Sequence, residues 1–166
     1  MSWNAFFAFH DKTRHSCGNS YIYGDVQAHT IGGGARAGGQ ALGTAPIIYT
    51  LEAHPRFARR FARLFARHQA GELQLAVTTV TIAEVLVGPL RGGEEALARR
   101  YRAVLEAWRV VELTADIAES AARLRGANGL KLPDAVQVAS ALAIDADALV
   151  THGRDFAPVR GLRILG

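Results

Sequence analysis

Residues 73–89 read LQLAVTTVTIAEVLVGP, and this stretch decides the fold. LQLAVTTV (73–80) is apolar and β-branched almost throughout, which predicts a strand buried in a sheet rather than an exposed, alternating one. TIAEVLVG (81–88) then reads as a short helix closed by Gly88-Pro89. A buried strand that runs straight into a helix is the first half of a βαβ unit.

The pattern continues on both sides. Upstream, Ile47–Leu51 is an apolar run, and Pro55 opens PRFARRFARLFARHQAG, where Phe57, Phe61, Leu64 and Phe65 recur at helical spacing until Gly71 stops it. Downstream, 93–108 reads as a long amphipathic helix, VVEL (110–113) as a strand and 115–126 as another helix. A helix opened by Pro133 runs to about Ile144, and ALVT (148–151) and LRIL (162–165) close the set as strands. Strands alternating with helices of this length predict an α/β protein: a three-layer α/β/α domain with a central parallel sheet, over residues 41–166. Residues 1–40 differ. IGGGARAGGQALG (31–43) has no sustained period, so 1–40 is expected to be a glycine-rich extension with little structure of its own beyond a short strand near YIY (21–23).

Composition bounds the function. The chain has 166 residues, 49% of them hydrophobic, enough for one domain with an ordinary core and too apolar for a disordered protein. No apolar stretch approaches the roughly 20 residues that span a bilayer. The apolar start at 3–9, WNAFFAF, lacks a basic leader and meets His10, Asp11 and Lys12 at once, unlike a signal peptide. Cys17 is the single cysteine, which excludes a disulfide framework. The expectation is a cytoplasmic protein with no membrane partner. A net charge of +4 is a mild pointer to an anionic partner such as nucleic acid.

Three carboxylates stand in apolar surroundings just beyond a predicted strand or at a helix start: Glu84, Asp134 and Asp155. In parallel α/β sheets such positions line the crevice at the carboxyl ends of the strands. Three carboxylates converging there repel one another unless a cation such as magnesium or manganese, which prefers oxygen ligands, neutralises them. Each also has a structural reading. Thr81-x-x-Glu84 has the form of a capping box, Asp134 suits the first turn of a helix, and Asp155 suits a turn.

TTVTIAEVLVGPLR (78–91), LKLPDAVQVASAL (130–142) and ADALVTHGRDF (146–156) resemble, in order and spacing, the successive motifs of the PIN-domain family, most closely its VapC-type toxins. The resemblance implies an α/β/α fold and a metal-dependent endoribonuclease, the toxin of a toxin–antitoxin pair, which hydrolyses RNA phosphodiesters with magnesium (or manganese). By motif, Glu84, Asp134 and Asp155 are the catalytic and metal-binding carboxylates and Thr151 the supporting hydroxyl. The implied partners are RNA, a cognate antitoxin protein and a second copy in a homodimer. The rival reading is a catalytically inert PIN-like domain that binds RNA or a partner protein.

One position departs from the family's pattern. In ALGTAPIIYTLE (41–52) the first-motif aspartate is replaced by Gly43, which implies weaker metal binding, and GGQAL is a poor central strand. Gly153 also stands where relatives often carry an acid or amide. The arginines of the helix after Pro55 could follow a phosphate backbone or meet an acidic antitoxin segment, but read better as a solvated face opposite the phenylalanine stripe; Arg91 and Arg154, nearer the acids, are the better candidates for contact with an RNA phosphate.

Overall fold

The first strand is the one the sequence recommends least. The computed structural model describes residues 38–152, 156, 159 and 161–166. Within it β1 (Gly38–Leu42) is GGQAL, with two glycines and a glutamine in five residues. Its backbone is paired on both sides: Gly38 to Ala41 run parallel to Leu73 to Ala76, and Gln40 to Leu42 run parallel to Ala148 to Val150. Two ladders of hydrogen bonds hold a segment in which Ala41 and Leu42 bring the apolar side chains, a case of tertiary context overriding local preference. Gly38 to Gln40 are therefore strand, three residues ahead of the boundary expected at 41.

The remaining elements follow the alternation. They are α1 (Thr44–Leu51), α2 (Ala58–Gln69), β2 (Leu73–Thr78), α3 (Thr79–Arg91), α4 (Glu95–Glu106), β3 (Arg109–Val111), α5 (Ala115–Asn128), α6 (Leu132–Ala143), β4 (Ala148–Val150) and β5 (Ile164–Leu165). All pairings are parallel, and the sheet order is β3-β2-β1-β4-β5. Alternate strand residues serve opposite faces. Ala41, Ala76, Val111 and Leu149 pack with α5 and α6 around Ile117, Ala121 and Val138. Leu42, Leu75 and Val77 are buried on the other face, where Ile47, Phe65 and Leu105 from α1, α2 and α4 are also buried. This is the predicted α/β/α domain.

Two helix boundaries differ from the sequence reading. The strand ends at Thr78 because the Thr78 hydroxyl accepts from the Thr81 N–H at 2.9 Å and caps α3, so the helix begins at Thr79. The same helix passes through Gly88-Pro89 to Arg91 instead of stopping there. Pro89 is buried in its last turn, where a missing N–H costs one hydrogen bond at most. The stop is Gly93 at φ +71°, where the Gly93 N–H reaches the Leu90 carbonyl and the Glu94 N–H reaches Pro89. Gly71, the predicted stop of α2, has φ +73° and ends that helix in the same way. In α2, Phe61 and Phe65 are buried while Arg59, Arg63 and Arg67 are exposed, so the arginines are the solvated face expected of them. No helix among the described residues is long and apolar enough to cross a membrane.

Two measurements test this packing. Among the described residues nothing lies within 4 Å of a Cβ placed on Gly39, so Gly39→Ala should stabilise β1 by about 0.5–1 kcal/mol. Thermal unfolding should show a melting point about 2–3 °C higher, and a fall would contradict the account. Burial, and after it the carboxylates of Glu52 and Glu94, push the Tyr101 hydroxyl up from 10.0 to about 12. The folded state thus favours the neutral phenol: this stability is complete below pH 10 and is lost as the pH rises from 10 towards 12. Urea titrations at pH 9 to 11.5 should show a fall in stability that is smaller in Tyr101→Phe; identical slopes would contradict the assignment.

Candidate functional site

The strand order fixes where a ligand fits. From β1 the chain moves outward to β2 and β3, then returns to place β4 on the other side of β1. The carboxyl ends of β1 and β4 therefore flank the switch point of the sheet, where crevices open in parallel α/β folds. Leu42-Gly43-Thr44 leaves one strand and Val150-Thr151-His152 the other, joined by a hydrogen bond from the Gly43 N–H to the Val150 carbonyl at 2.9 Å.

Thr44, the first residue of α1, is the hub. Its hydroxyl donates to a carboxylate oxygen of Glu84 on α3 and accepts from the Gln137 side-chain amide on α6 at 3.2 Å. Elements from both faces of the sheet thus meet on one hydroxyl. Glu84 is half-buried and spends its carboxylate on Thr44 rather than on the helix start, where Thr78 is already the cap. The capping-box alternative therefore fails. Gln137 is buried, at 4% exposure. Asp134 stands one turn earlier on the same face of α6 and is half-buried. Thr151 is buried at the end of β4, its N–H bonded to the Leu165 carbonyl at 2.7 Å.

The other predicted residues lie further out or outside the described residues. Arg91 is exposed at the end of α3, two turns and about 10 Å along the axis from Glu84. Gly153, Arg154 and Asp155 lie outside the described residues, as do 1–37 with the predicted strand at 21–23. Among the described residues no group of three or more His, Cys, Asp or Glu is placed to hold a metal ion. The chemistry of the donors nonetheless suits a hard divalent cation: Glu84, Asp134, Thr44 and Thr151 offer only oxygen, and magnesium is ordinarily held by one or two carboxylates, with water and phosphate completing its shell.

The sequence reading passed over two features. Gln137 carried a usable signal: it interrupts the apolar run AVQVASAL, and a buried amide needs a partner. The second is a cluster of rings beside Thr151. Tyr49, His54, Phe57 and His152 have neighbouring centroids 4.7–5.5 Å apart, and the Arg56 guanidinium lies 5.4 Å from the Phe57 ring centre. His54 Nδ1 also accepts from the Arg56 and Phe57 N–H groups, at 3.3 and 3.4 Å, ordering the entry into α2.

An all-parallel sheet between two helical layers, with Glu84 held by Thr44 at its switch point, defines the class of domain. The chain belongs to the PIN-domain family, whose model matches residues 43–162. Among solved structures it is similar to a toxin–antitoxin complex from Klebsiella pneumoniae, at 29% identity and a TM-score of 0.59, covering 76% of this chain and 96% of that one. The fold is shared with a VapBC complex from Rickettsia felis bound to a promoter DNA fragment (20% identity, TM-score 0.60) and a DNA-bound VapBC from Salmonella typhimurium (18%, 0.59), each with the same coverage. No curated protein matches the sequence.

If Thr44 is the hub, its hydroxyl matters more than its volume. Thr44→Val, which leaves the carboxylate of Glu84 and the amide of Gln137 without their shared partner, should destabilise the domain by about 1–3 kcal/mol. Thr44→Ser keeps the hydroxyl and should cost clearly less in the same urea titration. Equal losses for the two variants would remove Thr44 from this role.

Proposed function

We propose that this chain is a metal-dependent endoribonuclease of the VapC toxin type, slowed by the absence of an acid at position 43. The observation that carries the reading is the anchoring of Glu84 by Thr44 at the switch point of a PIN-family sheet, with Asp134 on the helix face that also delivers Gln137. Glu84, Asp134 and Asp155 hold magnesium or manganese. A bound divalent cation neutralises charge on the phosphate and activates water. The chain's own residues do the rest. Thr44 holds one carboxylate oxygen of Glu84 so that the group keeps a single orientation. Thr151 supports the acids from the end of β4, and Arg91 and Arg154 neutralise the flanking RNA phosphates. The protein works in the cytoplasm as a homodimer, and a cognate antitoxin silences it, as the toxin–antitoxin nature of its Klebsiella neighbour suggests.

A second reading, an inert domain that binds RNA without cutting it, is favoured by one observation: Gly43 brings no carboxylate, and a neutral amide, Gln137, lies beside it. Manganese-dependent cleavage of an unstructured single-stranded RNA separates the two. The chain should cut slowly, and Glu84→Gln or Asp134→Asn should each lower the rate about 100-fold, the usual cost of losing one charge-stabilising group. A chain that folds, binds the RNA and cuts no faster than Asp134→Asn would overturn the nuclease reading in favour of the binding module.

A further inference from the structure

We propose that Gln137 is a positioning residue that takes the place of a side chain at position 43: its amide and any Cβ at 43 compete for one space, and the site of this chain is built around glycine. The inference rests on the metal-site reading above and concerns which residue organises that site.

A Cβ added to Gly43 would lie 3.0 Å from Gln137 Oε1, 3.1 Å from Thr151 Oγ1 and 3.3 Å from Thr151 Cβ. Each contact is closer than ordinary van der Waals packing, so a neighbour must give way. Thr151 is the stiffer of the two. It is β-branched, and its backbone is tied to β5 through the Leu165 carbonyl at 2.7 Å. Gln137 ends a flexible side chain, so its amide is the group that moves. That amide already has work: Nε2 donates to Thr44 at 3.2 Å, and Thr44 in turn donates to Glu84. Moving Oε1 by the few tenths of an ångström that a Cβ at 43 needs also shifts Nε2, because both atoms belong to one planar group, and so strains its bond to Thr44. A side chain at 43 and the Gln137–Thr44 bond therefore work against one another. Gly43 itself imposes no backbone demand, since its φ of −73° and ψ of 167° are open to any residue. What a side chain at 43 meets is crowding by Gln137 and Thr151, and not conformational strain.

A double-mutant cycle on the full chain tests this. Gly43→Ala, Gln137→Ala and the double variant are unfolded in urea with EDTA present. Alanine isolates the Cβ from any charge, and its effect on the start of α1 cancels between backgrounds. Gly43→Ala should raise the unfolding equilibrium constant at least threefold more when Gln137 is present than when it is alanine. Calorimetry with manganese provides the second readout, one that a merely structural role would not move. Gly43→Asp/Gln137→Ala should bind manganese about tenfold tighter than Gly43→Asp alone. An additive cycle overturns the proposal whatever the manganese result, and so does a coupled cycle in which the two aspartate chains bind manganese equally. A coupled cycle in which no chain binds manganese leaves Gln137 in its packing role and overturns the metal reading instead.

Discussion

The bond from the Gly43 N–H to the Val150 carbonyl is the fastening on which the site depends. It joins the carboxyl ends of β1 and β4 at the point where the chain's path across the sheet reverses. Gly43 and Thr151, the residues that follow each strand, are brought side by side by it. The helices on the two faces need no direct contact between their polar side chains: Glu84 from one and Gln137 from the other meet on the Thr44 hydroxyl. A strand as poor as GGQAL can serve as the centre because its neighbours on both sides supply the ladder. β1 adds Ala41 to the core on one face and Leu42 to the core on the other, and the better strands and the helices supply the rest.

Much of the fold could be read from the sequence because its signals were local. The apolar run at β2, the phenylalanine stripe of α2 and the Pro133 start of α6 each state their structure within a dozen residues. β1 could not be read with the same assurance, because what makes it a strand is the backbone of residues about 35 and 108 positions away. Gly88-Pro89 misled for a different reason. The last turn of a helix can tolerate a proline, and the true stop came four residues later as a glycine with positive φ.

The site divides in the same way. Glu84 and Asp134 could be picked out as acids in apolar sequence. Their organiser could not: the Thr44–Glu84 bond spans 40 positions and the Gln137–Thr44 bond 93, and neither leaves a mark on local pattern. The Thr81-x-x-Glu84 pattern even suggested a local partner, which the cap at Thr78 displaced. Gln137 was legible in principle, as the buried amide of an apolar helix. It escaped because helical periodicity scores apolar positions and passes over a polar residue that has found a distant partner. The glycine at 43 and the amide at 137 belong together physically, and reading either alone suggests only a missing ligand.

The central claim is that Glu84 and Asp134 form one cation site at the ends of β1 and β4. Crystals of the protein soaked in manganese, with data collected at the manganese absorption edge, test it directly. The account predicts an anomalous peak about 2.1 Å from carboxylate oxygens of both residues. A peak elsewhere, or none beside either residue in crystals whose other residues are well ordered, would contradict it.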